Sequence, residues 1–549
     1  MSTTLTESPP AGAQPYPRRW AAAAVMMIAA LMDLLDVTIV NVAIPSVGRD
    51  LQASQSDLQW LVSAYLLGFA ATLIVSGHLG DRFGRRGLFL AGVAGFGLAS
   101  LACGSAQTPG QLIAARAVQG VTAAVLVPQV LGAFRTMFHG KERGAAFGMY
   151  GAVAGFASAI GLLAGGLLTD ADLFGWGWRS VFLVNVPVAV GTFVAGLALV
   201  PATKERSAGR PDVLGSLLLA GGLVAVVLPL VQGRENGWPV WGWVCMAGGV
   251  CAVVGLGVFE ARRGSRRGMR GAAAERGTEG RTAEGCVTAE RAGEGRVTAG
   301  RTAERGAAER RTAERGAAEQ GGVAERGAAE RRTAVERPGI VPLLPARAFR
   351  LPAFSVGVLV QLLFSVGMQG FFLVFALWLQ GGQGYTPLQA GVLTVAFSAG
   401  AFLTAPVADG LAVRFGRLVL GAGALLMAGG FGWVWSGVDS AAAVHTGAWP
   451  LVPGLVLAGA GLGLLAVPLV NVVLSAVPGE LAGGASGIFS TAQQFGGAVG
   501  AGIVGTVFFS HADEGPGAAL GAAMPWVVGG FVVSAALCGV LPRRGRGEV

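Results

Sequence analysis

The chain has 549 residues, of which 53% are hydrophobic and only 13% charged, with a mean hydropathy of +0.60. Soluble domains carry roughly 25% charged residues, so a soluble enzyme is excluded at the outset. The net charge of +9 does not signal nucleic-acid binding, because the arginines lie mostly at helix ends and in one low-complexity segment.

Residues 1–19 form a polar tail with Pro and Gly, ending in Arg18-Arg19. The apolar run that follows is too long for a signal-peptide core and lacks a clear cleavage site, so it is read as a retained first helix. Apolar runs recur along nearly the whole chain. Fourteen candidate spans lie near 20–44, 57–77, 88–106, 111–134, 145–168, 179–200, 212–232, 240–260, 351–379, 387–408, 416–436, 449–474, 484–508 and 523–541. Each is long enough to cross a bilayer core of about 30 Å, and the 90 glycines suit helices that pack closely. The five cysteines, Cys103, Cys245, Cys251, Cys286 and Cys538, show no metal-ligand spacing. No disulfide, metal site or cofactor is expected from them.

The first span holds two acids, Asp33 and Asp36, three residues apart and so on one helix face. A carboxylate at the bilayer centre costs about 2.5–3.5 kcal/mol on insertion scales, and burial disfavours the charged form. The pair therefore reads as a proton- or cation-handling site, with Asp36 favoured, or as acids at a wet helix end bonded to backbone. Between spans two and three runs Gly77-His78-Leu79-Gly80-Asp81-Arg82-Phe83-Gly84-Arg85-Arg86, a charged turn broken by glycine. Asp81, Arg82 and Arg85 are candidates for a cytoplasmic gate, and the bland alternative is a topology anchor. A copy, Leu411-Ala412-Val413-Arg414-Phe415-Gly416-Arg417, has Val413 where Asp81 stands.

Arg116 lies in the fourth span, in Arg116-Ala117-Val118-Gln119-Gly120. A guanidinium in a membrane stays charged and needs an acidic or carbonyl partner, and Asp36 or Asp33 is the obvious candidate. Gly161-Leu162-Leu163-Ala164-Gly165-Gly166 in the fifth span would let backbones approach. Residues 261–337 repeat the unit Arg-Thr-Ala-Glu-Arg-Gly-Ala-Ala-Glu at 301–309 and 311–319 and lack core-forming residues, so a disordered or weakly helical loop is expected there. It reads as a regulatory or headgroup-binding segment, or as a tolerated repeat expansion. In the second half the polar groups are Asp409, Gln361, Gln369, Gln493 and Gln494. Met32, Met149, Met368, Phe364, Phe371 and Phe372 either line an apolar cavity or face lipid or core.

Arg18-Arg19, the 81–86 stretch, Lys141/Arg143, Lys204/Arg206, the 261–337 segment, Arg414/Arg417 and Arg543-Arg544 all fall on one side of the membrane with this span count. That bias places both termini in the cytoplasm. Val127-Pro128-Gln129-Val130 recurs as Val467-Pro468-Leu469-Val470, which with the turn copy pairs spans 2–5 with spans 10–13. Two related helical halves with a charged turn in each point to a transporter. The expected organisation is all-α: a tail (1–19), a six-helix bundle (20–200), two inserted helices (201–260), a low-complexity loop (261–350), a second six-helix bundle (351–541) and a tail (542–549). No Gly-x-x-x-x-Gly-Lys-[Ser/Thr] loop is present for an ATP-driven pump.

These motifs together resemble the major facilitator superfamily, in particular its fourteen-helix drug:proton antiporter branch (EmrB/QacA type). The 77–86 stretch, with Gly77, Gly80, Asp81, Arg82, Gly84, Arg85 and Arg86, is similar to the superfamily's cytoplasmic loop motif. The run from Leu35 to Pro45, with Thr38 and Asn41, resembles the branch's first-helix motif. Arg116 to Gly120, with Gln119, is similar to a fourth-helix motif linked in the family to proton transfer. Trp178-Arg179-Ser180-Val181-Phe182-Leu183-Val184-Asn185-Val186-Pro187 resembles the sixth-helix signature. The family's fifth-helix antiporter motif ends Gly-Pro-x-x-Gly-Gly, whereas this chain has Leu162 in place of the proline.

The resemblance implies a monomeric plasma-membrane exporter driven by protons, with Asp36, Asp33 and Arg116 in proton coupling and an amphipathic or cationic organic compound as substrate. A narrow exporter of one endogenous metabolite and a non-transporting ligand sensor are the alternatives.

Overall fold

The computed structural model describes residues 16–138, 140–201, 213–234, 237–260, 262, 348–443, 449–478 and 482–541, except for a few side chains within helices, Asp81 among them. All of these but residue 262 belong to one compact unit made of 1–260 and 342–549. Of the predicted tail 1–19, residues 1–15 lie outside the described residues, as do the tail 542–549 and the repeat segment 261–337 apart from residue 262. The end of the expected loop is ordered, since Ala348–Arg350 form a 3-10 turn.

The described elements are helical. In the first half, α1 is Arg19–Asp50, α2 Gln55–Phe83, α3 Arg85–Gly104, α4 Pro109–Met137, α5 Gly140–Asp170 and α6 the span Gly177–Leu199. Next come α7, Val213–Gln232, and α8, Val240–Glu260. In the second half, α9 is Pro352–Leu377, α10 Pro387–Phe415, α11 Arg417–Ala443, α12 Val452–Ser475, α13 Ala482–Ser510 and α14 Pro516–Cys538. Among the described residues, 11 helices are long and apolar enough to cross a membrane. The chain is thus a multi-pass membrane protein. The helices α2, α5 and α13 are not among the 11. In α13 the glycines and the pair Gln493 and Gln494 lower the hydropathy, and in α5 the apolar stretch found among the described residues is Ile160–Asp170.

Local chemistry sets the helix ends. Ser54 caps α2 by accepting from the Asp57 N–H, and the Asp57 carboxylate accepts from the Ser54 N–H. Thr386 and Gln389 cap α10 in the same way. The stretch expected as a turn at 77–86 is different: α2 continues through Phe83, the break is Gly84 alone, and α3 begins at Arg85. Gly84 has φ 97°, and its counterpart Gly416, between α10 and α11, has φ 58°. Only glycine takes such angles without strain, so one residue reverses the chain where several were expected. α1 also outruns its predicted end, passing through Pro45 to Asp50. A proline inside a helix removes one backbone bond and crowds the preceding turn. Gln380 reaches that turn, and its side-chain amide donates to the Val42 carbonyl at 2.8 Å.

The two halves repeat one packing arrangement. α2 crosses α4 and α10 crosses α12 at backbone contact. At Gly120 an added Cβ would lie 2.0 Å from the Tyr65 carbonyl oxygen, and at Gly459 1.8 Å from the Phe397 carbonyl oxygen. Gly68 meets the Ala117 carbonyl as Gly400 meets that of Val456. These paired crossings align Tyr65 with Phe397 and Arg116 with Leu455. Between halves, α5 lies against α10 and α2 against α13. α7 packs on α2 and α13. Met32 and Phe371, which the sequence left between cavity, lipid and core, are core residues, whereas Met149 is exposed.

The Gly120 crossing has no room for a methyl group, so Gly120→Ala is expected to destabilise the protein by about 1–3 kcal/mol. Gly191→Ala, on α6 with nothing within 4 Å, is expected to cost nothing. Thermal unfolding of the purified variants distinguishes the two positions.

Candidate functional site

The polar residues buried in the first half converge on one point. Asp36, on α1, is fully buried, and Arg116, on α4, is 2% exposed. The Arg116 Nη1 lies 2.5 Å from Asp36 Oδ2. The other carboxylate oxygen accepts from Gln119 Nε2 at 2.8 Å and from Asn185 Nδ2 at 2.9 Å. Helices α1, α4 and α6 are thus joined at a single carboxylate.

The surroundings of the cation are equally complete. Arg116 also donates to Gln119 Oε1 at 2.7 Å and to the Leu61 carbonyl at 3.3 Å. Its guanidinium carbon lies 4.3 Å from the centroid of the Tyr65 ring and 5.8 Å from that of Phe182. Gln119 Nε2 donates a further bond to Ser100 Oγ at 2.9 Å, and the Cys103 thiol contacts Gln119 Oε1 at 3.6 Å. Desolvating two charges is costly, and the cost is offset only when the remaining lone pairs and protons are satisfied. Here both oxygens of Asp36 and the Nε and Nη1 groups of Arg116 have partners.

Asp33 lies one turn nearer the N-terminus and is 4% exposed. The Tyr65 hydroxyl donates to its Oδ1. Tyr65 therefore touches both parts of the site, with its hydroxyl on Asp33 and its ring on Arg116. The α2–α4 crossing at Gly120 brings these groups together.

The sequence singled out Asp33, Asp36, Arg116, Gln119 and Asn185, and the structure joins them. It did not single out Tyr65 or Ser100, and it read Cys103 only as a scattered thiol. Tyr65 is one of only four tyrosines and stands alone in an apolar stretch, which is the signal that would have found it. Other signature residues make bonds outside this cluster. Thr38 donates to the Leu35 carbonyl at 2.9 Å, and Asn41 Nδ2 to that of Val37 at 3.0 Å. Trp178 Nε1 and Arg179 Nη1 both donate to Asp50, at 2.9 and 2.6 Å, tying α6 to the end of α1. Pro187 falls in the first turn of the helical run Asn185–Leu199, where its missing N–H costs little.

The fifth-helix glycines form close contacts in two directions. Gly161 faces the Thr38 side chain and Gly165 the Ile39 carbonyl, both on α1. Gly166 faces the Pro387 carbonyl on α10, and Gly391 of α10 faces the Leu162 carbonyl. Leu162, standing where the family has proline, is buried in this seam.

The gate candidates lie at the junction of α2 and α3. The Asp81 side chain lies outside the described residues. Arg82 is exposed beside the Phe83 ring. The Arg85 guanidinium crosses α4 at Gly132, and Arg86 donates to the Leu197 carbonyl at the end of α6. Gly80 faces the Gln129 side chain, whose amide donates to the Ser76 carbonyl. Gly77 has open space beside it. The described contacts of this motif stay within the first half.

Contacts between the halves come from elsewhere. Gln369 Nε2 donates to Asn41 Oδ1 at 3.0 Å and Gln380 to the Val42 carbonyl. Gln380 sits in a π-helical turn, Trp378–Gly382, a feature found mostly at functional sites. A small cavity beside it is lined by Asn41, Val42, Leu162, Phe372, Gln380 and Thr394. The buried Gln380 Oε1 has no partner among the described residues. The second half has no counterpart of the ion pair at the aligned positions Phe397 and Leu455. It carries an aromatic stack instead, with ring centroids 4.9 Å apart for Phe371–Phe375, 4.3 Å for Phe371–Phe431 and 5.4 Å for Phe431–Phe531.

Two repeated helical halves around a buried charge cluster define a membrane transporter. The chain belongs to the Major Facilitator Superfamily, whose match covers residues 26–501. It is similar to the "Probable actinorhodin transporter" of Streptomyces coelicolor, with 36% identity over 91% of this chain and 74% of the relative. It is also similar to the "Puromycin resistance protein pur8" of Streptomyces alboniger, with 34% identity over 90% of this chain and 82% of the relative. Among solved structures it resembles the xylose transporter XylE from E. coli in its inward open conformation. The TM-score there is 0.58 at 13% identity, covering 97% of this chain and 98% of the other. That likeness shows the fold.

Gln119 is the one side chain that bonds both partners of the ion pair. Gln119→Leu would leave Ser100, Asp36 and Arg116 each short of a partner, and is expected to cost about 1–3 kcal/mol. A fall in the thermal unfolding midpoint of the purified variant, absent for an exposed Gln107→Leu control, is the expected reading.

Proposed function

We propose that this protein exports amphipathic or cationic organic compounds, antibiotics among them, across the plasma membrane in exchange for protons. The observation that carries the reading is the fully buried Asp36 carboxylate, held by Arg116, Gln119 and Asn185 on two other helices. The relatives named for actinorhodin and puromycin support the substrate class and the outward direction.

Asp36 carries the proton, with Asp33 as a second acid one turn towards the N-terminus. Protonation of Asp36 removes the charge that Arg116 is paired with. The guanidinium remains charged and keeps the Gln119 oxygen, the Leu61 carbonyl and the Tyr65 and Phe182 rings. The cation therefore stays housed while the tie between α1 and α4 weakens. α1 carries the consequence across the protein, because Asn41 and Val42, within two turns of Asp36, accept bonds from Gln369 and Gln380 of the other half. A proton that biases these contacts shifts the balance between states open to opposite sides. Each proton moving through 100 mV supplies about 2.3 kcal/mol, enough for roughly 50-fold accumulation.

The reading includes all fourteen helices as membrane crossings in the pattern of the drug:proton antiporter branch. Six would form each bundle, with α7 and α8 inserted between them. Both termini and the 261–350 segment are cytoplasmic by the positive-inside bias, the protein works as a monomer, and the 77–86 motif braces the cytoplasmic end of the first bundle. The unpartnered Gln380 oxygen and the cavity beside it supply a polar contact for a mostly apolar substrate. An exporter of a single endogenous compound is the second reading, which the actinorhodin relative favours.

The test uses inverted membrane vesicles with an imposed pH gradient, wild type against Asp36→Asn, with puromycin and a panel of unrelated drugs. Drug-dependent collapse of the gradient is expected in wild type and not in Asp36→Asn, at equal amounts of folded protein in the membrane. Collapse that persists in the variant would remove Asp36 from the mechanism.

A further inference from the structure

We propose that α7 is a releasable bridge across one end of the transporter: it stays seated on α2 and must let go of α13 before that end can open. The proposal rests on the alternating-access reading above and gives the inserted helix pair a task in it.

The last four carbonyls of a helix have no partners within it. α7 ends at Gln232, and its final carbonyls are taken up from outside. The Pro229 carbonyl accepts from the Gly233 N–H at 2.8 Å. The Leu230 carbonyl accepts from Thr506 Oγ1 of α13 at 2.9 Å. The adjacent Val231 carbonyl accepts from Ser56 Oγ of α2 at 3.1 Å. Neighbouring carbonyls of one helix end thus receive one hydroxyl from each half of the protein.

α2 and α13 also meet directly at this level. Gly505 of α13 lies against the Gln59 side chain, and Ser63 Oγ donates to the Ala498 carbonyl at 3.4 Å. This is the end of α2 nearest its N-terminus and therefore, in the proposed topology, the extracellular end. Opening that side requires α2 and α13 to part, and α7 cannot follow both.

The attachments are unequal. On the α2 side, Arg234 just beyond α7 donates to Gln55 Oε1, in addition to the Ser56 bond, and α7 packs more extensively on α2 than on α13. On the α13 side stand the Thr506 hydroxyl and Leu230 and Val231 resting on Gly502. α13 is therefore the side released. The bonds sit at a helix end beside Trp238, Trp241 and Trp243, at the level of interfacial aromatics, where water can replace a lost hydroxyl. Deep in the hydrocarbon the same carbonyl would be left unsatisfied, so the location suits a contact that breaks and reforms.

A Cβ at Gly502 would lie 3.2 Å from Leu230 Cβ, close to disulfide reach. The test therefore uses full-length protein with the five native cysteines replaced and the pair Leu230→Cys/Gly502→Cys. Cross-linking is expected to reduce drug-driven gradient collapse at least tenfold, with recovery on reduction. Full transport by the cross-linked protein would overturn the proposal.

A second measurement needs no substrate and separates this proposal from the assignment of export. Spin labels at Ser105→Cys and Glu514→Cys report the separation of the two halves at this end by pulsed electron resonance. Thr506→Val is expected to at least double the long-distance population, and Ser56→Ala to leave it nearly unchanged. No change with Thr506→Val would overturn the bridge. Equal shifts in both variants would overturn α2 as its anchor.

Discussion

The structure turns on an ion pair that is shut away from the surface, with Asp36 fully buried and Arg116 2% exposed. Removing one partner of such a pair typically costs about 3–5 kcal/mol, because the other charge is stranded. Asp36 and Arg116 therefore fix where α1, α4 and α6 must lie, and Gln119, Ser100 and Asn185 are held in turn by what the pair still needs. The close α2–α4 crossing serves the same end. Without the bare backbone at Gly120, the Tyr65 ring could not reach the guanidinium while its hydroxyl reached Asp33.

The two halves share a scaffold and divide the chemistry. Crossings of α2 with α4 and of α10 with α12 repeat almost contact for contact. At the aligned positions, however, the first half has Tyr65 and Arg116 and the second has Phe397 and Leu455. In the second half the space is filled by a run of stacked rings from Phe371 to Phe531. A stacked aromatic core offers nothing that titrates and resists deformation. One half buries a carboxylate–guanidinium pair, and the other a tightly packed aromatic core.

Much of this was legible in the sequence because charge inside apolar runs is conspicuous. Arg116 called for an acidic partner that could be Asp36 or Asp33, and Asn185 and Gln119 stood in motifs around them. The positions of the helices followed from hydropathy. What escaped depends on relations that a linear pattern does not carry. Tyr65 reads as one more aromatic until the crossing at Gly120 turns it towards both charges. Gln380 reads as a loop-side polar residue until the π-helical turn brings it to the Val42 carbonyl. The 77–86 stretch was read as a turn because its charges and glycines look like one, yet a single left-handed glycine makes the reversal and the rest is helix.

The seam between α5 and α10 is built from main-chain atoms. Gly166 meets the Pro387 carbonyl and Gly391 meets that of Leu162, so the identity of neighbouring side chains hardly enters the contact. A hinge of this kind is indifferent to what happens around it. Side chains lining the adjacent space can be exchanged, one substitution at a time, without disturbing how the halves meet. Lineages that share the moving parts are then free to diverge in cargo, and resistance to a new compound becomes accessible in few mutational steps.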